Sequence, residues 1–174
     1  MLDKLRTQLV RQGPALLRLP ISMMPFALKQ RVIEQVLHWQ FRQALAEGEL
    51  DFLNGRWLKI EVNDLDLTWF MTVIDDRLSV KSEGIADVSF VGNANDLVLI
   101  AARKEDPDTL FFQRRLTIEG DTELGLQVKN LMDAIDLESM PKALRITLLQ
   151  LAEFIAAGVK ESAPVKATRA SLPC

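Results

Sequence analysis

The stretch DPDTLFFQRRLTIEGDTELGL, residues 106–126, carries the strongest fold signal in this 174-residue chain. Its initial Asp-Pro pair is typical of a helix end, because proline cannot continue a preceding helix. A short apolar run at 110–112 leads to an alternating segment that predicts a strand over 115–119. The Gly-Asp pair at 120–121 marks a turn, and the acidic start of the next segment predicts a helix over about 122–135.

Upstream of this stretch, the spacing of apolar residues changes from a helical period to the alternation typical of strands, and then back to a helical period. We predict a helix over 31–47, strands within 56–62, 67–74, 78–81 and 86–90, and a helix over 93–104. Alternation places Leu58 and Ile60 on one face of their strand, and Trp69 and Met71 on one face of the next. Consecutive short strands joined by tight turns are expected to be antiparallel neighbours.

Downstream, residues 141–158 predict a last helix that is apolar around much of its circumference. The order of elements is therefore one helix, four strands, a helix, a strand and two helices. This order predicts an α+β fold: a mainly antiparallel five-stranded sheet covered on one face by helices, with a helical N-terminal extension. Residues 161–174 lack apolar periodicity and are expected to form a disordered tail after a domain spanning 32–160.

The charge of the chain is unevenly distributed. Residues 1–31 contain six basic side chains and one acid, whereas the rest of the chain carries a net charge of −8. Leucines at helical spacing accompany these basic residues, as in segments that lie on anionic membranes. We predict membrane contact through Lys4, Arg6, Arg11 and Arg18; packing of the segment on its own domain or on a partner is the alternative.

The composition excludes several classes of protein. A net charge of −3 argues against nucleic-acid binding, which needs a basic surface to neutralise phosphates. The single cysteine, Cys174, cannot form an internal disulfide. No apolar run reaches the length of a membrane-spanning helix, and no secretory signal is visible. We therefore expect a cytoplasmic protein, with peripheral attachment to the inner membrane through the basic segment as one option.

Catalytic and metal-binding chemistry has few candidates here. His38 is the only histidine and Cys174 lies at the chain terminus, so the usual zinc sites and nucleophiles cannot be assembled. The remaining acid/base candidates are three groups of acids, for which turn, helix-stop and helix-start roles account: Asp64 with Asp66, Asp106 with Asp108, and Glu119 with Asp121 and Glu123. We expect no catalytic residue, no metal and no cofactor.

Several ordered motifs resemble the sterol carrier protein type 2 family over about residues 32–135. These motifs are NDLVLI at 95–100, the Asp-Pro pair at 106–107, LTI at 116–118 and the Gly-Asp pair at 120–121. Within that family, the whole chain is similar to bacterial accessory factors of ubiquinone biosynthesis. That further similarity lies in the basic N-terminus, WQFRQAL at 39–45, KNLMDAI at 129–135 and MPKALR at 140–145.

The resemblance implies a non-catalytic protein that holds a polyprenylated ubiquinone intermediate or a membrane lipid in an apolar slot. It also implies a role in oxygen-independent ubiquinone synthesis, with ring-hydroxylating partner proteins. Because an apolar tail in water is unfavourable by roughly 25 cal/mol per Å², the slot has to be apolar. We predict that it is lined by Trp69, Met71, Phe90, Leu97, Phe111, Phe112, Leu116, Leu144, Leu148, Leu151 and Phe154.

Two other functions stay open at this point. One is a scaffold of the same fold that docks partner proteins without carrying lipid. The other is a small hydrolase or isomerase that depends on the carboxylates. Bound lipid in the purified protein separates the first from a carrier, and turnover that is lost on substitution of Asp106 or Glu119 identifies the second.

Overall fold

A computed structural model describes residues 2–134 and 137–162 of the chain. The helices are α1 (Leu2–Met23), α2 (Phe26–Gln40), α3 (Arg42–Ala46), α4 (Ala94–Ala101), α5 (Pro107–Phe112), α6 (Thr122–Asp133) and α7 (Lys142–Ser162). The strands are β1 (Leu58–Val62), β2 (Leu67–Ile74), β3 (Arg77–Lys81), β4 (Val88–Gly92) and β5 (Leu116–Gly120). Residues 163–174, most of the expected tail, lie outside the described residues.

The five strands form one sheet in the order β3-β2-β1-β4-β5. Antiparallel pairing joins β1 to β2, β2 to β3 and β4 to β5, whereas β1 and β4 are parallel. The α+β class and the mainly antiparallel sheet are therefore confirmed, but the expectation that β3 and β4 are neighbours is wrong. After β3 the chain returns to the side of β1 that does not pair with β2, and β4 pairs there in parallel. Just before β4, the Asp87 carboxylate accepts a hydrogen bond from the Trp57 backbone N–H at 2.7 Å.

Alternation along the strands places their apolar side chains on the face covered by helices. The register sets Ile60 opposite Trp69 on one side and opposite Phe90 on the other. Phe90 lies in the middle of the sheet and is 0% exposed. The main core includes, besides Phe90, the fully buried Leu53, Leu110, Leu116 and Leu124.

Two helices differ from the prediction because of local backbone chemistry. The helix expected over 31–47 starts at Phe26, directly after Pro25, whose extended backbone suits the residue before a helix. It is interrupted at Phe41, and α3 begins at the next residue, Arg42. The Asp-Pro pair predicted to end a helix also begins α5, because Asp106 accepts hydrogen bonds from the Thr109 N–H at 2.9 Å and hydroxyl at 2.8 Å.

Helix α1 packs against α7 and α4 and not against the main core. The contact is a separate group of buried residues, the Val10 cluster: Val10, Leu99, Ala102, Ala152 and Ile155. The Val10 carbonyl also accepts a hydrogen bond from the Asn95 side chain at 2.8 Å. Since α2 begins at Phe26, the expected segment boundary at residue 31 falls inside a helix.

Candidate functional site

An apolar cavity of about 290 Å³ lies between the helix-covered face of the sheet and the helices. It is lined by Val36, Leu37, Gln40, Phe41, Leu58, Ile60, Trp69, Met71, Leu97, Ile100, Ala101, Val128, Leu131, Met132, Met140, Leu144 and Leu148. This volume is near the lower end of the roughly 300–1,000 Å³ typical of small-molecule sites. A cavity between the sheet and the last helix was expected, and it is present.

Each wall of the cavity follows from a local pattern. Strands β1 and β2 contribute neighbouring side chains, since Leu58 pairs with Met71 and Ile60 with Trp69. Helix α2 is fixed to the edge of the sheet by Glu34, whose carboxylate accepts a hydrogen bond from the Val80 backbone N–H at 3.1 Å. Leu144 and Leu148 lie one turn apart on α7 and form the covering wall. The sheet therefore provides the floor, and α7 provides the cover.

Of the side chains that line the cavity, the most exposed one lies on α2. Val36 lines the cavity and is also 37% exposed, so its side chain lies at the boundary between the interior and the surface. A ligand longer than the cavity can therefore leave it beside Val36. The exposed apolar surface there extends along α2 through Val32 and Trp39.

Two wall residues carry polar atoms. The Nε2 and Oε1 atoms of Gln40 and the Nε1 atom of Trp69 are buried, and none has a hydrogen-bond partner among the described residues. Gln40 is the last residue of α2, and Trp69 lies on β2. All other side chains that line the cavity, within the part of the chain that the structure describes, are apolar.

Five of the side chains predicted to line the slot do line the cavity: Trp69, Met71, Leu97, Leu144 and Leu148. The other six are placed elsewhere. Phe90 and Leu116 are packed inside the main core. Phe111, Phe112, Leu151 and Phe154 are exposed.

The position of each of these six residues in its helix or strand explains why its side chain does not line the cavity. Phe90 lies on the inner strand β4 and Leu116 begins the edge strand β5, and the main core encloses both side chains completely. Phe111 and Phe112 belong to a helix and not to an extended segment, so only Leu110 of that run faces inward. On α7, Ala152 and Ile155 face α1 and α4, which turns Leu151 and Phe154 outward.

Sequence reasoning missed the contributions of α2 and α6 to the cavity. Leu58 and Ile60 could have been predicted to line the cavity, because they lie on the same face of the β1–β2 pair as Trp69 and Met71. Leu37 and Phe41 lie within the helix predicted over 31–47, but no part of that helix was predicted to line a cavity. No sequence pattern distinguishes Gln40 from a surface glutamine.

Three of the carboxylates considered for catalysis, Asp106, Asp108 and Asp121, have structural roles in this fold. Hydrogen bonds from the hydroxyl and then the backbone N–H of Thr109 lower the pKa of Asp106. Asp108 forms an ion pair with Lys129 at 2.8 Å, and this hydrogen bond raises the pKa of Lys129. Asp121 begins α6 by accepting a hydrogen bond from the Leu124 backbone N–H, which lowers the pKa of Asp121. Helix capping and ion pairing thus account for these carboxylates.

A second, more polar cleft of about 270 Å³ lies between the end of α4 and the end of α6. Asp106 and Asp133 both line it, and burial followed by the charge of Asp106 raises the pKa of Asp133. Because the oxygens of Asp106 are engaged at the start of α5, this pair gives little support to acid/base catalysis. Within the described residues, no group of three potential ligands is arranged to hold a metal.

The basic residues predicted to contact membranes lie on α1. The side chains of Lys4, Arg6 and Arg11 fall outside the described part of the structure. Arg18 is exposed and forms an ion pair with Asp66 at 3.5 Å. No helix in the described ranges is long and apolar enough to cross a bilayer.

A five-stranded sheet with helices on one face and an apolar cavity among them is the architecture of a sterol-carrier-type domain. The chain belongs to the SCP-2 sterol transfer family, whose model matches residues 34–133. The expected resemblance over residues 32–135 is therefore confirmed. Helix α1 and helix α7 lie outside the matched residues.

The chain is similar to one relative along its whole length and to one solved structure over part of it. It is 63% identical over 174 residues, all of both chains, to the ubiquinone biosynthesis accessory factor UbiT of Escherichia coli strain K12. It also resembles a solved structure described as UbiJ-SCP2 ubiquinone synthesis protein, with a TM-score of 0.53 and 23% identity. That match covers 63% of this chain and 97% of the other, and it supports the fold alone.

Proposed function

We propose that this protein is a non-catalytic, lipid-binding accessory factor of ubiquinone biosynthesis. It holds a polyprenylated intermediate or a membrane lipid in the cavity and presents it to ring-hydroxylating partner proteins in the oxygen-independent pathway. The observation that carries this proposal is the apolar cavity of about 290 Å³ in a family domain. The pathway is inferred from the 63% identity to the Escherichia coli accessory factor.

The driving force for binding is the removal of apolar ligand surface from water, at roughly 25 cal/mol per Å². A cavity of about 290 Å³ is too small for a complete polyprenyl lipid, so it encloses one end of the molecule. The remainder leaves beside Val36 and lies along the exposed apolar surface of α2. Such an arrangement holds the ligand while keeping part of it accessible to a partner.

Lipid extraction followed by mass spectrometry of the purified protein tests the carrier function. We expect a lipid to copurify, and we expect Ala101→Phe to remove most of it, because Ala101 lines the cavity and the added ring occupies the ligand's space. Ala46→Phe is the matched control, since Ala46 is exposed at the end of α3. A protein that carries no lipid, or an Ala101→Phe variant that carries as much as the control, contradicts the proposal and favours the scaffold function.

We further propose that the protein acts in the cytoplasm and attaches peripherally to an anionic membrane through α1. Leu9, Leu16 and Met23 recur at intervals of seven residues, which places them on one side of the helix. All three are exposed, as is Leu19, and Met23 is 82% exposed. The ion pair that Arg18 makes with Asp66 is exposed and therefore weak, so a lipid phosphate can compete for the guanidinium.

Vesicle flotation tests this attachment with the full chain. The combined change of Leu16, Leu19 and Met23 to serine is expected to abolish most binding to anionic vesicles, since each apolar side chain contributes up to about 1.5–3 kcal/mol when buried. Ile85→Ser is the control, because Ile85 is even more exposed, at 90%, but lies on the β3–β4 connection. Unchanged flotation of the triple variant, or binding that ignores lipid charge and salt, would indicate that α1 docks a protein partner.

A further inference from the structure

The unpaired polar atoms of Gln40 and Trp69 are unusual for a protein interior. More than about 90% of buried polar groups in folded proteins have a hydrogen-bond partner, because an unpaired one has lost its water without compensation. Here three buried atoms in one cavity wall, Nε2 and Oε1 of Gln40 and Nε1 of Trp69, have none among the described residues. A bound ligand that supplies the missing partners explains all three atoms together.

The hydrogen-bonding capacities of these groups define the chemistry of the ligand. The indole N–H of Trp69 is only a donor, so it requires an acceptor oxygen. The amide of Gln40 donates through Nε2 and accepts through Oε1, so it can pair with a hydroxyl or with a carbonyl. A phenol hydroxyl can donate to Oε1 and accept from an N–H, whereas a quinone carbonyl can only accept and would leave Oε1 unpaired. A hydrocarbon can do neither.

The absence of charge in the wall specifies a neutral ligand group. Every side chain that lines the cavity, within the ranges that the structure describes, is uncharged. A carboxylate or phosphate enclosed here would lose its hydration without gaining a cation, which is strongly unfavourable. The oxygen-bearing group beside Gln40 and Trp69 is therefore neutral.

The size of the cavity decides which end of the ligand enters it. An engineered protein cavity of about 150 Å³ accommodates one benzene molecule. The cavity here, about 290 Å³, accommodates a substituted aromatic ring and the first part of a side chain. A ring in the cavity brings its oxygens to the wall, and the apolar tail leaves beside Val36.

We infer that Gln40 and Trp69 form a recognition site for the neutral, hydroxyl-bearing ring of a prenylated phenol, which binds ring-first with its tail directed outward. Small side-chain rotations of the kind that accompany ligand binding bring the polar atoms to the ring oxygens. This inference rests on the proposed lipid-binding function and adds the class of ligand and its orientation.

Isothermal titration calorimetry with three matched probes tests the inference. The probes are 2-geranylphenol, geranylbenzene, which lacks the hydroxyl, and the anionic 2-geranylbenzoate. We expect the full-length protein to bind the phenol about tenfold more tightly than the hydrocarbon, since hydrogen bonds of ordinary strength account for a factor of this size. The benzoate is expected to bind more weakly than the phenol.

Two substitutions test whether Gln40 and Trp69 cause the preference for the phenol over the hydrocarbon. Gln40→Met and Trp69→Phe keep the approximate size of each side chain and remove its polar atoms, so each is expected to reduce the preference to within about threefold. The melting temperature of Gln40→Met should not fall below that of the parent, because an unpaired buried amide has been removed. Gln43→Met is the control: Gln43 is exposed, bonds Glu47 at 2.9 Å and should leave the preference unchanged.

An NMR measurement gives an independent readout of the hydrogen bond to the indole. The indole ¹H–¹⁵N signal that is missing from Trp69→Phe identifies Trp69 in the parent protein. This signal should move on addition of the phenol and much less on addition of the hydrocarbon.

The outcomes separate this inference from the proposed function. If neither the phenol nor the hydrocarbon binds the parent protein, the lipid-binding function fails and the inference fails with it. If both bind equally, or if the variants keep the parent's preference, lipid binding stands and the recognition site is wrong. Benzoate binding as tight as that of the phenol overturns the neutral-ligand assignment.

Discussion

The sheet domain and the pair of flanking helices α1 and α7 are packed in different ways. The main core of the sheet domain is built from large side chains with almost no exposure, such as Phe90, Leu110 and Leu124. The Val10 cluster between the flanking helices and α4 relies on small residues, including Ala102 and Ala152. Large buried side chains give the sheet domain most of its stability, whereas small ones allow α1 to approach α7 closely.

Helix α7 belongs to both regions, and this position explains the cavity. Its first turns place Leu144 and Leu148 over the sheet, and its later turns place Ala152 and Ile155 against α1 and α4. The family match ends at residue 133, so the cover of the cavity comes from outside the matched domain. Loss of the contact between α7 and the sheet domain should therefore weaken ligand binding more than it lowers the stability of the fold.

The largest expected effect is on the sheet domain. Phe90→Ala should reduce the free energy of unfolding by about 3–5 kcal/mol, because Phe90 is 0% exposed and a cavity replaces its ring. Urea denaturation followed by circular dichroism measures the change. Phe112→Ala is the control, since Phe112 is 80% exposed and its loss should cost less than about 0.5 kcal/mol. Similar losses for both variants would contradict the assigned core.

A smaller effect is expected where α1 meets α7. A Cβ atom at Gly158 would lie 2.7 Å from Cγ2 of Val10, and the stiff valine cannot move aside without moving the helix. Gly158→Leu should therefore destabilise the protein by about 1–3 kcal/mol and undock α1. Hydrogen exchange should increase in α1 and not in β4.

Gly13→Ala is the matched control for that substitution. It lies on α1, and a Cβ atom there meets nothing within 4 Å. Its expected effect is a stabilisation of up to about 1 kcal/mol, from the higher helix propensity of alanine. Hydrogen exchange in α1 that is equal in Gly158→Leu and the parent protein would mean that the close contact does not hold α1 in place.

The smallest expected effect is a dependence of stability on pH, which should differ between the sheet domain and the contact between α1 and α7. The hydrogen bond from Leu124, with help from Arg56, lowers the pKa of Asp121 from its ordinary value of 3.8. The folded-state pKa is below the unfolded one, so Asp121 stabilises the fold above about pH 3.8, and this contribution disappears as the pH falls through the folded value. Asp121→Ala should therefore lower the melting temperature at pH 7, and this loss should become smaller as the pH falls below 3.8.

The contact between α1 and α7 should respond differently to acid. The Val10 cluster is made of apolar side chains, which do not titrate. Protection of α1 from exchange, relative to that of the sheet, should therefore persist as the pH is lowered from 7 to 4. A selective loss of α1 protection over this range would show that charged groups hold the helix.

Much of the local structure was predictable from the sequence by itself. Period-two alternation placed Leu58, Ile60, Trp69 and Met71 on one face, because successive side chains of a strand point to opposite sides. Of the five predicted residues in the cavity wall, Trp69 and Met71 followed from strand faces, whereas Leu97, Leu144 and Leu148 lie on helices. The Gly-Asp turn before α6 was also visible, since a capping acid acts on amides only a few residues away.

Only the tertiary structure decided which elements cover one another. Alternation within β4 does not reveal that it pairs in parallel with β1, because its partner is distant in the chain. Leu110 and Phe112 have the same apolar character, yet one is buried and the other exposed, since a single helical turn directs them to opposite sides. Gln40 reads as an ordinary polar residue until packing encloses its amide. Periodicity identifies the apolar side of each element, but the burial of a particular atom depends on neighbours that long-range packing alone brings together.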